Sequence, residues 1–277
     1  MDFEREPLVQ SLQKIQANQF QPENGRKAAE YLPAMLQYLG DPDPVLRDEL
    51  IYSTLAEWIT KEDFLDPADF RWLLAKCLDA DHLFHHIGTS GDTGIYTRSF
   101  TALVIALLLY RHRQHSFLSL AELNDVKSAL LTYLAQEKDW RGFTLEYGWA
   151  HTAAHSADAL DELVQCQEID GNDQLQILAA LQNVLWNGST SFSDEEDERL
   201  ATLICTIIQS GKLSEHNLTT WLPGLQNCLE QPRGREQNIA RINSKNLCRC
   251  VYFRLLAQNP SLAQEFLNVA QQLNRFM

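Results

Sequence analysis

Apolar residues recur every three to four positions along most of this chain, and proline, glycine and capping residues interrupt that spacing at short intervals. The pattern predicts helices near residues 5–18, 24–39, 43–60, 67–79, 97–113, 120–138, 149–167, 172–187, 194–210, 214–230, 235–257 and 261–275. Several ends are explicit. Asp43-Pro44 and Asp66-Pro67 each place an N-cap acid before a proline at the first helical position. Ser119 with Glu122, and Ser193 with Glu196, have capping-box spacing. No segment sustains the alternation of a strand.

Short links between the helices predict an all-α chain of antiparallel hairpins stacked side by side as a HEAT/armadillo-like superhelix, a single domain over 1–277. A compact helical bundle is the alternative. Glu30-Tyr31-Leu32-Pro33 and Thr220-Trp221-Leu222-Pro223 echo each other faintly, as repeats would. Residues 79–96, with three histidines and three glycines, read as a long loop.

Composition narrows the function classes. Lys and Arg total 23 against 37 Asp and Glu, a net charge of −14, which disfavours nucleic acid and anionic membrane as partners. The basic stretch from Arg233 to Arg254 reads as a solvated helix face on an acidic protein. The longest apolar run, Ala102 to Tyr110, is far short of the about 20 residues that cross a bilayer. The N-terminal stretch has no basic start followed by an apolar run. Six cysteines without a CxxC pair are expected to be reduced thiols in a cytoplasmic protein.

Three helices carry polar residues that need explaining. On the seventh, His151, His155, Asp158 and Glu162 share one stripe at about 100° per residue. That stripe is a solvated face, a polar groove, or a divalent-metal site formed by His151, His155 and Asp158. On the third, Asp48 shares a wheel face with Ile51, Tyr52, Leu55 and Ile59, so it is expected to be buried with a partner. On the fifth, Arg98 sits at a helix N-terminus, where the dipole opposes it, so a carboxylate is expected beside it, with Asp48, Asp92 and Asp158 as candidates.

LRDELIYSTLAEWI (46–59), TRSFTALVIALLL (97–109) and EKDWRGFTLEYGWAHTAAHSADALDEL (137–163) resemble the bacterial domain of unknown function family 2785, most clearly between Leu32 and Leu163. The resemblance implies a soluble all-helical protein and transfers no catalytic residue. His82, His85 and His86 depart from the family's loop and are not expected to carry a shared role.

The expected function is a binding or scaffold module whose groove takes a polar ligand or peptide. Asp48, Arg98, Tyr147, Trp149, His151, His155 and Asp158 are its candidate contacts, no cofactor is required, and the oligomeric state is left open. The alternative is a metal-dependent or histidine-based hydrolase, with His151, His155 and Arg98 as catalytic candidates. GxSxG and P-loop signatures are absent.

Overall fold

The computed structural model describes residues 4–61 and 64–276, so the ends of the expected 1–277 domain lie outside it. The chain is all-α apart from one two-stranded hairpin. The helices are α1 (Arg5–Ala17), α2 (Leu32–Gln37), a π-helical turn (Val45–Tyr52) running into α3 (Ser53–Thr60), α4 (Pro67–Cys77), α5 (Gly94–Gln114) and α6 (Leu120–Gln136). The hairpin β1 (Phe143–Thr144) and β2 (Gly148–Trp149) comes next. Then follow α7 (Thr152–Val164), α8 (Gly171–Leu185), α9 (Glu196–Ser210), α10 (Glu215–Trp221), a 3-10 segment (Leu222–Glu230), α11 (Arg235–Leu255) and α12 (Pro260–Gln272).

Alternate helices pack side by side. α3 lies on α5, α5 on α7, α7 on α9 and α9 on α11, while α6 lies on α8 and α8 on α10. Buried apolar residues from Leu8 to Leu273 form a continuous core between them. α5 is buried along most of its length, as its run of apolar residues requires, with only the Leu103, Leu107 and Tyr110 side left partly open in its middle.

Three expected elements are corrected. The helix expected over 24–39 is two 3-10 turns followed by α2, because Pro33 has no N–H to donate and restarts the helix at its first turn. Pro223 does the same within 214–230. The helix expected from 149 begins at Thr152, because residues 143–149 fold back as the hairpin. Its three-residue loop closes through Gly148 at φ +72°, and Thr144 Oγ1 accepts the Tyr147 N–H (3.3 Å).

All six cysteines are free thiols. No helix among the described residues is long and apolar enough to cross a membrane.

Candidate functional site

α7 runs through the middle of the molecule. Thr152, Ala153, Ala154, Ser156, Ala157 and Ala159 are small, so α5 and α9 can approach closely, and all six are buried. His155 is buried among them, so the solvated-face reading of the stripe fails at its centre.

His155 Nδ1 lies 2.8 Å from Ser99 Oγ, and Ser99 donates its single proton to the Ala150 carbonyl. Oγ is thereby left to accept Nδ1–H, which fixes the neutral imidazole with that tautomer. Burial above all, then the neighbouring His151 and Arg199, pushes the His155 pKa down to about 3. The ring also stands edge-on to Phe100 at 5.1 Å.

His151 lies just outside the helix as its N-cap, in the left-handed region at φ 49°, ψ 37°. A non-glycine residue there costs energy, and such strain clusters at functional sites. Its backbone is tied to Gly142, whose carbonyl accepts the N–H groups of Ala150 (2.8 Å) and His151 (3.2 Å). A Cβ at Gly142 would stand 2.4 Å from both Asp194 Oδ2 and Glu196 Oε1, so a larger residue there would push both carboxylates aside. The His151 ring packs against the half-exposed Trp149 (4.1 Å) and edge-on to His155 (5.7 Å). Its Nε2 is buried and has no hydrogen-bond partner. Burial lowers its pKa, with the Asp194 carboxylate pulling the other way.

Asp158 makes no hydrogen bond with either histidine. Arg199 Nη1 donates to its two carboxylate oxygens, each at 2.7 Å. Burial raises its pKa, and Arg199 opposes that. Among the described residues no group of three or more His, Cys, Asp or Glu is arranged to hold a metal ion. His151, His155 and Asp158 are therefore not a facial triad: one caps the helix, one turns inward to Ser99, and one takes an arginine.

Arg98 belongs to a different place. Its partner is Glu137, not Asp48, Asp92 or Asp158, and its Nη1 donates to the His85 carbonyl (2.8 Å). It fastens the 79–96 loop to the end of α6, and neither Arg98 nor Glu137 hydrogen-bonds to His151 or His155. Asp48 is also displaced from its expected position. Arg47, which shares a face with Ile51, Thr54, Leu55 and Trp58 at helical spacing, takes the centre of the buried side of the π turn and α3, and Asp48 falls at its edge. Arg47 is fully buried, and Asp48 is a half-exposed neighbour 2.7 Å from Arg47 Nε, out of line for a hydrogen bond. Burial raises the Asp48 pKa.

Sequence reasoning missed Arg47 as the hub of this region. Nη1 donates to the Asp41 carbonyl (2.9 Å) and Nη2 to the Tyr147 carbonyl (2.8 Å). Its guanidinium lies over the rings of Tyr96 (4.3 Å) and Phe100 (4.9 Å). Tyr147 thus contributes its carbonyl, with its ring edge-on to Tyr96. Arg47 stood inside the R-D-E-L stretch, in helical register with Ile51, Thr54, Leu55 and Trp58, which was the signal that could have found it.

Asp158 leads into a cavity of about 310 Å³ between α3, α5 and α7. Leu103, Ala106 and Leu107 form its apolar wall, Tyr52 and Tyr110 flank it, and Asp158, Asp161 and Glu162 edge it. Glu162 is paired with Arg113. Asp161 Oδ2 accepts from Gln165 Nε2 (2.9 Å), its Oδ1 is buried with no well-aligned hydrogen bond, and the Thr206 hydroxyl lies near enough to favour its charge. Burial raises the pKa of all three acids. Asp161 is the second residue that the sequence left unmarked; it lies one position off the stripe.

No curated protein and no solved structure matches this chain. A family model described as protein of unknown function (DUF2785) matches residues 83–253, starting later and reaching further toward the C-terminus than the resemblance suggested. Thr97 to Phe100 and Gly148 to Asp158 fall inside the match, and Arg47 to Glu49 outside it. With most of its length covered, including the hairpin, α5, α7 and α9, this chain belongs to the DUF2785 family.

Proposed function

We propose that the chain is a cytoplasmic binding module, a HEAT-like stack that takes a cationic side chain of a peptide in the recess between α3, α5 and α7. Asp161 carries the reading. Its Oδ1 is buried with no well-aligned hydrogen bond at the edge of a cavity whose wall is otherwise aliphatic and aromatic. Asp158 and Glu162 are already answered by Arg199 and Arg113. Asp161 is answered only by the neutral Gln165 and Thr206 and by a more distant Arg113, no cation hydrogen-bonds to it among the described residues, and burial penalises its charge. A lysine or arginine side chain would supply donors to Asp161, lay its methylenes on Leu103 and Leu107, and meet the rings of Tyr52 and Tyr110. A second cavity of about 340 Å³, lined by residues of α9 and α11 that include Thr206 and Arg254, lies further along the same layer of helices. An extended peptide crossing the layer would be read at both.

Calorimetry with lysine- and arginine-bearing peptides against acidic controls tests this. Basic peptides should bind wild type at low salt, and Asp161→Asn should weaken them at least about tenfold while leaving the melting temperature equal or higher. Binding that is indifferent to peptide charge, or unchanged in Asp161→Asn, overturns the proposal.

One observation favours the hydrolase as a second reading. His151 is strained, unpaired at Nε2 and half covered by Trp149, and its lowered pKa keeps it neutral, as a general base requires. Hydrolysis of a broad ester and peptide panel that is lost in His151→Gln would support it; no turnover by wild type removes it.

A further inference from the structure

The outward flank of α11 is unusual for a helix on an acidic protein. Ile242, Lys245, Arg249, Phe253 and Leu256 follow one another at three- and four-residue spacing along it. Phe253 is 71% exposed and Leu256 46%. α9, α8, α12 and the 3-10 segment cover the rest of α11, and no other helix among the described residues packs closely on it beyond these. Lys245 and Arg249 make no ion pair with any described acid, and Lys245 feels the repulsion of Arg249 and Arg241. Residues 231–277 hold seven Lys or Arg against two acids, in a chain whose net charge is −14. An exposed helix face ordinarily carries polar residues with charges of both signs. This one turns out a basic and apolar face.

The complementary surface is on the same chain. The hairpin exposes Phe143, Leu145 and Trp149, with Leu145 99% exposed at its tip. Phe143 and Trp149 pair across the strands with their rings 4.7 Å apart, so the patch is a rigid aromatic platform. Beside it runs the acidic sequence from Asp194 to Glu198, anchored where Asp194 Oδ2 accepts the Phe143 N–H (3.3 Å). Glu146 in the hairpin loop and Glu195 at the start of that run are both exposed and without a cationic partner among the described residues.

We infer that the α11 flank of one molecule docks on the hairpin face of a second copy, with Phe253 and Leu256 against Phe143, Leu145 and Trp149, and Lys245 and Arg249 against Glu146 and Glu195. The two patches differ, so the contact is head-to-tail, and each molecule has one of each to offer. Apolar contact supplies the attraction, and the charges set orientation and make it weaken with salt.

Sedimentation over a wide concentration range, at low and high salt, tests the assembly. Wild type should grow in mass with concentration, and added salt should reverse the growth. Leu145→Asp and Phe253→Asp change exposed residues, and each alone should reduce association at least about tenfold. Mixing the two variants should restore a 1:1 dimer and nothing larger, because one intact hairpin then meets one intact α11 flank. A wild type that stays monomeric throughout, association that survives either substitution, or a mixture that stays monomeric each overturns the inference.

Discussion

Arg98 and Glu137 meet as two parallel hydrogen bonds, Nε to Oε2 at 2.6 Å and Nη2 to Oε1 at 2.9 Å, with both side chains fully enclosed. Glu137 also accepts the N–H groups of Lys138 (2.9 Å) and Asp139 (2.8 Å), so it closes α6 while it neutralises the arginine. Breaking one side of such a pair strands a charge in the interior. Glu137→Ala should cost about 3–5 kcal/mol in chemical denaturation. Replacing both residues, Arg98→Met with Glu137→Leu, should recover much of that loss; a double variant no better than the single one would show that the charges themselves are needed.

Arg47 gathers the π turn, the hairpin and α5 through carbonyl bonds and ring faces. Lysine cannot reproduce that planar fork or the stacking. Arg47→Lys should therefore destabilise by about 2 kcal/mol or more, whereas Asp48→Asn, at a half-exposed neighbour, should cost less than half as much. Equal costs for the two would contradict the hub role.

His151 holds a left-handed backbone that asparagine and glycine adopt more readily. His151→Asn should be within about 0.5 kcal/mol of wild type or more stable, and His151→Val should lose about 2 kcal/mol. Thermal denaturation distinguishes them. Valine tolerated as well as asparagine would mean that the strain is not there.

His155 makes stability depend on acid. With its folded pKa at about 3 and the ordinary value at 6.5, the unfolded chain binds the extra proton as pH falls from 6.5 toward 3. Stability should fall across that window, with this residue contributing up to about 1.4 kcal/mol per pH unit. Asp158, Asp161 and Glu162 act in the opposite sense: their pKa values are raised, so their protonation in acid favours the folded state. The difference between wild type and His155→Phe isolates the histidine. Wild type should lose stability relative to the variant as pH drops from 6.5 toward 3, and parallel curves would rule out the depressed titration.

What could be read before any coordinates existed was local. Apolar spacing, caps and prolines settle where helices run because they act within a few residues of one another. Hence the all-α class and most of the helix ends. The same local logic failed on the third helix: the face drawn around Asp48 was the edge of the buried arc, and Arg47 holds its centre. It also failed in the hairpin, which is too short to show alternation and rests on Gly148, Thr144 and the tight fit at Gly142.

Which residues share a site was decided by the tertiary structure alone. The stripe on α7 was legible, but not that Asp158 meets Arg199, that His155 meets Ser99, or that Arg98 turns to Glu137. Each pair lies some forty or more positions apart, on helices whose spacing says which face is apolar but not which neighbour it will meet. Charge and hydrogen bonding choose partners only after packing has brought the helices together, so the helices belong to the sequence and the pairings to the fold.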